Sequence, residues 1–206
     1  MNFYKKFLRN LFSLNVMSTL YLKIFYNFDG LIFKKGKLKL SKGAQLRSKN
    51  GIFNFNSKWV KCDPFCALLF MGVDSKLFIG SNFSIYSGAK VYINKNAQLF
   101  LGSGFINHNA NISCFNKISI GENVVISENV IIRDSDNHHI NNKPNSAPIK
   151  IGNNVWIGMN VTILKGVTIG DGAVIASNTL INKDVPENCL VGGIPQKILK
   201  ENVIWQ

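Results

Sequence analysis

Between residues 151 and 186 the sequence repeats every six residues. It reads I-G-N-N-V-W, I-G-M-N-V-T, I-L-K-G-V-T, I-G-D-G-A-V, I-A-S-N-T-L and I-N-K-D-V-P. A period of six fits neither an α-helix nor simple strand alternation, but it fits a chain that turns a corner after each short strand. Three such sides form a coil, and coils stack at ~4.8 Å through backbone hydrogen bonds. The pattern therefore predicts an all-β fold, an extended parallel β-prism.

The repeat also predicts which side chains fill the prism. Isoleucine opens each unit and points inward, and the fifth residue is small or β-branched because it lies inside near a corner. Gly, Asn and Asp between them supply the positive φ angles that corners need. The Ile-Gly steps at Ile120 and Ile151 are 31 residues apart, whereas a coil of three hexapeptides has 18. This excess predicts one protruding loop at about residues 138–150.

The prism occupies only part of the chain. Phe3, Phe7 and Leu11 alternate with basic residues at helical spacing, which predicts an amphipathic helix up to about residue 26. Such a helix covers the open end of the prism or lies on an anionic bilayer, and the two roles can coexist. The predicted division is a basic helical segment (1–28), irregular early coils (29–76), a regular β-helix with a loop at 134–150 (77–186), and a C-terminal turn with a short helix (187–206).

The formal net charge of +13 is concentrated at one end. Residues 1–65 hold 13 basic and 2 acidic side chains. This asymmetry favours an anionic neighbour such as a membrane surface, an anionic polymer or nucleic acid. Composition offers a second explanation, because 21 lysines against 3 arginines, with 27 asparagines, are typical of an AT-rich genome. Charge alone argues for nucleic acid, and no recognition helix or zinc motif accompanies it, so we expect no nucleic-acid partner.

Two further patterns exclude protein classes. Cys62 and Cys66 are spaced C-x-x-x-C, which matches neither a C-x-x-C redox motif nor a zinc knuckle. The pattern indicates idle or buried thiols in a reducing cytosol and no metal site. No stretch reaches the ~18 uncharged apolar residues that a membrane span requires.

The repeats, the loop I-I-R-D-S-D-N-H-H and the tail V-G-G-I-P-Q-K resemble the hexapeptide-repeat acyltransferases, which fold as a left-handed parallel β-helix. The similarity is greatest to the sugar O-acetyltransferase branch, which includes galactoside and maltose acetyltransferases and capsule and O-antigen modifying enzymes. It covers about residues 77–200. The resemblance implies acetyl-CoA as donor substrate, no permanently bound cofactor, and a hydroxyl of a bacterial surface-polysaccharide sugar or its precursor as acceptor. It also implies a cytoplasmic homotrimer with active sites between subunits.

The resemblance assigns catalysis to the loop. His138 matches the family's catalytic histidine, which takes a proton from the attacking hydroxyl, a role that suits imidazole. The adjacent His139 is the alternative base and otherwise a candidate acceptor contact. Asp136, or else Asp134, is a candidate to hold the far ring nitrogen of the histidine, although Asp also commonly fixes corners by bonding to backbone.

Acceptor and donor residues follow from the same resemblance. Asn107 matches an asparagine that holds the acceptor sugar, and Trp156 matches a tryptophan that lines the acceptor pocket or a subunit interface. Met159, Ser177 and Asn182 match positions whose backbone groups bind the pantetheine arm of acetyl-CoA. Lys183, Lys197 and Lys200 match basic positions that meet its phosphates.

Two alternative functions remain open at this stage. An N-acetyltransferase acting on a nucleotide-linked amino sugar would use the same base and donor groove. A non-catalytic β-helix scaffold would need the repeats but not the D-S-D-N-H-H loop. A zinc enzyme of carbonic-anhydrase type is disfavoured, because the chain has only His108, His138 and His139 and two of them are adjacent.

Overall fold

A computed structural model describes residues 13–60 and 62–205, and in it the chain winds as a three-sided coil of short parallel strands. Up to β20, each strand pairs with the strand three positions before it or after it in the chain, so the three sides build three separate sheets, parallel except for the last pair of the first sheet. The predicted parallel β-prism is confirmed. We call the turns from the first to the second sheet the first edge, and those from the second to the third sheet the second edge.

The strands are numbered in chain order and sorted by sheet. The first sheet contains β1 (Gly30–Ile32), β4 (Phe53–Ser57), β7 (Phe83–Tyr86), β10 (Gly104–Ile106), β13 (Val124–Ile126), β16 (Trp156–Ile157), β19 (Val174–Ile175), β21 (Leu190–Gly192) and β22 (Lys197–Lys200). The second contains β2 (Lys37–Leu40), β5 (Leu68–Met71), β8 (Lys90–Ile93), β11 (Asn111–Cys114), β14 (Ile131–Arg133), β17 (Thr162–Ile163) and β20 (Leu180–Ile181). The third contains β3 (Gln45–Ser48), β6 (Lys76–Ile79), β9 (Gln98–Leu101), β12 (Lys117–Ile120), β15 (Ile149–Ile151) and β18 (Thr168–Ile169).

The interior of the prism is filled as the repeat predicts. All six isoleucines that open the hexapeptides of residues 151–186, and all six fifth residues, are at most 3% exposed. Each buried isoleucine contributes roughly 1.5–3 kcal/mol relative to an exposed one, so a column of them along the axis supplies much of the fold's stability. The remaining core residues of earlier coils, such as Phe53, Leu69 and Ile85, continue the same column.

Asparagine makes the corners. Among the described residues, fourteen of the sixteen non-glycine residues with positive φ are asparagine. Asparagine tolerates the left-handed conformation better than other residues with a Cβ atom, because its short amide can hydrogen-bond locally. On the first edge, Asn129 donates to Asn160 (3.1 Å) and Asn160 donates to Asn178 (3.0 Å). The abundance of asparagine therefore has a structural cause as well as a compositional one.

The coil length changes along the chain. Trp156 pairs with Val174, 18 residues later, but earlier coils such as Phe83 to Gly104 take 21. Two turns are much longer, 30 residues from Phe53 to its partner Phe83 and 31 from Val125 to Trp156. The second contains the predicted loop, which spans residues 134–148 and is called the histidine loop below. The first contains a loop that was not predicted, residues 58–67, called the tryptophan loop.

Helix α1 (Val16–Tyr26) covers the N-terminal end of the prism. Asn15 caps its first turn by accepting a hydrogen bond from the Ser18 backbone, and Leu22 is fully buried beside Phe28 over the first coil. The predicted helix end near residue 26 is confirmed, whereas Phe3, Phe7 and Leu11 lie outside the described residues. Within the part of the chain that the structure describes, no helix is long and apolar enough to cross a membrane.

The C-terminal segment corrects the prediction of a short helix. Lys197–Lys200 forms strand β22, which pairs antiparallel with β21. The edge of β21 offers unpaired backbone groups at the end of the coil, and pairing with β22 satisfies them. The chain then returns along the first sheet, where the Trp205 indole donates to the Asn154 carbonyl (2.7 Å).

Candidate active site

The histidine loop is a hairpin that leaves the second edge. Its arms are joined by backbone hydrogen bonds from Ala147 to the Asp134 carbonyl (3.0 Å) and from Asp136 to the Asn145 carbonyl (2.8 Å). The neighbouring corner, between β11 and β12, needs only residues 115–116. The hairpin takes residues 134–148 for the same turn, so most of it is an insertion. Its tip projects from the prism and carries the two adjacent histidines.

Asp134 fixes the base of this hairpin. The carboxylate is fully buried and accepts hydrogen bonds from the backbone of Phe115 (2.6 Å) and Asn116 (2.9 Å), in the preceding coil. Cys114 lies against the same carboxylate, and burial raises the pKa of its thiol far above the ordinary value, so it stays a neutral core residue. Asp134 is therefore a corner-fixing residue and does not contact His138.

Asp136 is paired with a lysine of the next coil. Its carboxylate lies 2.6 Å from the Lys165 ammonium, which also donates to the Pro144 carbonyl (2.9 Å). Lys165 thereby joins both arms of the hairpin to the prism. The structure does not bring Asp136 onto His138, so the expected support for the imidazole is not formed within a single described chain.

The two histidines of the loop differ in their contacts. His139 lies with Nδ1 3.1 Å from the Lys143 carbonyl, so its ring is held at the hairpin tip. His138 is exposed and has no hydrogen-bond partner among the described residues. An anchored loop that presents an uncommitted imidazole leaves both ring nitrogens available to a substrate or to a second copy of the chain.

Asn107 lies on the first edge, in a cluster that includes an unpredicted tryptophan. Its Oδ1 accepts hydrogen bonds from the Trp59 indole (2.8 Å) and from the His108 backbone (2.9 Å), and its Nδ2 donates to Glu128 (2.6 Å). Trp59 stacks on Tyr86 with ring centroids 4.6 Å apart. One amide hydrogen of Asn107 remains for an acceptor.

Beneath this tryptophan lies a second polar cluster that sequence reasoning did not find. Ser87 is hydrogen-bonded to the buried carboxylate of Asp63, and His108 Nδ1 lies 2.8 Å from Ser87 Oγ and 3.8 Å from Asp63. Burial by itself would raise the pKa of Asp63. The hydrogen bonds from Ser87 and the Phe65 backbone, with the positive potential of His108 and Lys58, outweigh burial and lower it. The carboxylate is therefore ionised near neutral pH.

Trp156 points outward from the first sheet, as predicted. It is 43% exposed, and its ring lies 6.1 Å from that of Trp205, which the returning C-terminal segment places there. The outward neighbours of Trp156 along the sheet are Val125 and Phe105, so the outer face is apolar at these levels. The corresponding column of the third sheet carries only polar side chains, Ser119, Lys150 and Thr168.

The predicted donor residues differ in how much of their backbone is free. Ser177 is exposed on the first edge, and its amide and carbonyl have no partner among the described residues. The Met159 carbonyl already accepts from the Asn178 amide (2.9 Å). The amide of Asn182 donates to the side chain of Gln196 (2.9 Å), so the expected backbone contact of Asn182 with a pantetheine arm is occupied in the free chain.

The three donor-side lysines lie near the C-terminal end of the prism. Lys183, Lys197 and Lys200 are exposed, and none forms an ion pair with the described residues. The Gln196 side chain also accepts from the Lys183 backbone amide (3.2 Å) and donates to the Lys183 carbonyl (3.2 Å). It therefore ties the turn before β22 to the second edge. Exposed ammonium groups near this end of the prism suit phosphate groups.

The predicted site residues therefore fall on two different edges of one chain. Asn107, Met159 and Ser177 lie on the first edge, and His138 with Asn182 lies on the second. The second sheet separates the two edges. Within one chain the structure does not bring the histidine loop onto Asn107, the residue predicted to hold the acceptor.

A coil built from isoleucine-led hexapeptides, with one histidine-bearing loop on its side and exposed lysines near its C-terminal end, is typical of the hexapeptide-repeat acyltransferases. The model of the family "bacterial transferase hexapeptide (six repeats)" matches residues 148–183. The chain is 32% identical over 166 residues to galactoside O-acetyltransferase of Escherichia coli (strain K12), covering 76% of this chain and 78% of the relative. It is 33% identical over 189 residues to an uncharacterized 24.8 kDa protein in the cps region of Klebsiella pneumoniae, covering 85% and 84%.

The comparison with solved structures agrees. The polysialic-acid-specific acetyltransferase NeuO superposes with a TM-score of 0.54 at 25% identity, covering 84% of this chain and 89% of the other. The chain belongs to the hexapeptide-repeat acetyltransferase family, and its β-helix is the left-handed one of that family. This membership removes the non-catalytic scaffold from the candidate functions.

Proposed function

We propose that this acetyltransferase transfers the acetyl group of acetyl-CoA to a hydroxyl of a bacterial surface-polysaccharide sugar, or of its precursor. The relatives named as galactoside and polysialic acid acetyltransferases support a sugar acceptor. The observation that carries the proposal is the uncommitted imidazole of His138 on a hairpin whose base is fixed by the buried Asp134. A general base needs such a free nitrogen on a rigid support.

In the proposed reaction His138 accepts the proton of the acceptor hydroxyl while the hydroxyl oxygen attacks the thioester carbonyl. The new C–O bond forms, the C–S bond breaks, and the proton passes from the imidazolium to the leaving sulfur. No acyl-enzyme is needed, because donor and acceptor are bound together. His139 is the second candidate for the base. Asp136, paired with Lys165, contributes by holding the loop, and an orienting role toward His138 stays a prediction.

The donor and acceptor sides support a site shared between copies of the chain. Because Asn107 and the histidine loop lie on different edges, a second copy is needed to bring the two together. The apolar outer face around Trp156 and Phe105 supports a contact between subunits there, since exposed apolar faces of this kind mark interfaces. We infer a homotrimer, with Ser177 and the lysines Lys183, Lys197 and Lys200 binding acetyl-CoA at each interface.

The N-terminal helix supports a peripheral membrane contact in the bacterial cytoplasm. Met17, Leu20, Ile24 and Phe25 recur at helical spacing on the outward face of α1 and are 49–79% exposed. The same end of the chain holds most of the net positive charge. An apolar stripe beside lysines suits an anionic bilayer, where lipid-linked glycans are assembled. Replacing Ile24 and Phe25 by Asp should abolish sedimentation with vesicles of phosphatidylglycerol, while unchanged sedimentation contradicts the contact.

The experiment that tests the proposed reaction is an acetyl-transfer assay with radiolabelled acetyl-CoA and two acceptor groups. One group contains glycans with hydroxyls only, and the other contains a nucleotide-linked amino sugar. Transfer to a glycan hydroxyl supports O-acetylation. Transfer confined to the amine, giving an amide that resists mild alkali, would reassign the enzyme as an N-acetyltransferase.

A further inference from the structure

The tryptophan loop, residues 58–67 apart from Lys61, places one aromatic ring at a defined position on the first edge. The next corner along this edge, between β7 and β8, needs only residues 87–89. Trp59 lies nearly parallel to Tyr86, with an interplanar angle of 10°, and meets Phe105 edge-on at 6.5 Å. The indole nitrogen is held by Asn107. These contacts fix one face of the ring, while the side chain stays 59% exposed.

The loop is anchored from below by a buried charge. Asp63 accepts hydrogen bonds from Ser87 Oγ and from the Phe65 amide (2.9 Å), and the Asp63 carbonyl accepts from the Lys58 ammonium (2.7 Å). A buried, ionised carboxylate with several donors holds a loop in one conformation, because breaking the contacts leaves the charge unpaired. The position of Trp59 is therefore built into the fold.

The same hydrogen bonds orient His108. The ionised carboxylate of Asp63 can only accept, so the Ser87 hydroxyl donates its hydrogen to Asp63 and accepts from His108 Nδ1. His108 therefore carries a hydrogen at Nδ1, which faces Ser87, and in the neutral tautomer with this hydrogen Nε2 is an acceptor. Glu128 offers a second acceptor, and Asn107 one amide hydrogen as a donor. The ring face of Trp59 thus stands beside a small set of oriented donors and acceptors.

We propose that Trp59, Asn107, His108 and Glu128 form a subsite for a sugar ring of the glycan acceptor, next to the sugar that is acetylated. The C–H face of a pyranose is apolar and matches an aromatic face, and its hydroxyls need planar polar partners at the rim. The subsite makes an oligosaccharide, and not a monosaccharide, the preferred acceptor. The inference rests on the proposed sugar acceptor and deepens it.

The test compares Trp59→Ala with Phe65→Ala, an exposed aromatic of the same loop that contacts neither Tyr86 nor Asn107. Acceptors are methyl galactoside as the monosaccharide, and lacto-N-tetraose and a short sialic acid oligomer as the oligosaccharides. Trp59→Ala should raise KM for the oligosaccharide acceptor about tenfold, while KM for acetyl-CoA stays the same and KM for the monosaccharide rises much less, through the lost Trp59 hydrogen bond to Asn107 alone. Trp59→Phe should retain most of the affinity, and Phe65→Ala should behave as the wild type.

A second measurement separates this proposal from the proposed reaction. Saturation-transfer NMR without donor should show the sugar C–H protons of an oligosaccharide against the wild-type protein and not against Trp59→Ala. Binding without any acetyl transfer would keep the subsite and overturn the reaction. Transfer with an unchanged oligosaccharide KM in Trp59→Ala would overturn the subsite. The subsite would also be overturned if no oligosaccharide bound the wild-type protein, or if Trp59→Ala no longer assembled as a trimer.

Discussion

The two inserted loops of this β-helix are built alike and present different chemistry. Each leaves an edge of the prism, and each depends on a buried aspartate, Asp63 in the tryptophan loop and Asp134 in the histidine loop. The tryptophan loop bonds its polar groups to one another and to the neighbouring corners at Ser87 and Asn107, and it exposes an aromatic face. The histidine loop commits its aspartates to the prism and leaves His138 without a partner. The comparison teaches that anchoring and chemistry are assigned to different residues of the same loop.

The largest expected effect is on the free imidazole. His138→Ala should lower turnover by ~10²–10⁴, the usual range for a positioned general base. Affinity for coenzyme A should change little, because the donor residues lie on other coils. Steady-state kinetics with a fixed acceptor measures the turnover, and calorimetric titration measures the affinity for coenzyme A. His139→Ala is the matched control, and a collapse in that variant instead would move the base by one residue.

The next effect is on the anchor of the histidine loop. Asp134→Ala leaves the amides of Phe115 and Asn116 without their acceptor, and because Phe115 is only half-buried and Asn116 is exposed, the total loss should be about 1–3 kcal/mol. Chemical unfolding should show the loss, with Asp134→Asn intermediate because its one carbonyl oxygen still accepts. Asp134→Ala with wild-type stability would mean that the comparison between the two buried aspartates is wrong.

A smaller effect is expected from the ion pair that holds the hairpin arms. Lys165→Met should change the free energy of unfolding by less than about 1 kcal/mol, because the pair is partly exposed. It should lower turnover by up to about tenfold, since His138 is then positioned less firmly. The exposed Lys150→Met serves as control. Equal turnover in Lys165→Met and Lys150→Met would show that the ion pair of Lys165 with Asp136 does not contribute to catalysis.

The smallest effect is a pH dependence of stability from the tryptophan loop. The pKa of Asp63 is lowered in the folded chain, so its stabilising contribution is present above the ordinary carboxyl pKa. It is lost as the pH falls through the folded pKa, below about pH 4. Thermal melts of wild type and Asp63→Asn should differ at neutral pH and converge in acid. A constant difference across this range would show that the charge does not anchor the loop.

The sequence predicts the regular part of the fold because one interior dictates its residues at every level. In residues 151–186, the isoleucine and the fifth residue of each hexapeptide occupy the same kind of buried position in every coil. The pattern can therefore be recognised without knowledge of the contacts. The histidine loop is also predictable, since it interrupts that pattern between two Ile-Gly steps. The tryptophan loop interrupts early coils that lack those steps. One signal could have revealed it. Ten residues without strand alternation, which include W-V-K-C-D-P, separate β4 from β5.

The unpredicted parts of the site depend on contacts between coils. Trp59 meets Asn107 across 48 residues, and Trp205 reaches Asn154 across 51, which no local pattern specifies. The local sequence from Gln196 onward is compatible with a short helix. The open edge of β21 overrides that local preference, since tertiary pairing outweighs propensity.

A crystal structure of the protein with coenzyme A bound would show directly whether two copies of the chain share the active site. We expect a trimer in which the thiol lies within about 4 Å of His138 from one copy and beside Ser177 from its neighbour. Asn107 should border the space left for the acceptor. A monomer, or a thiol held away from both histidines of the loop, would contradict the account.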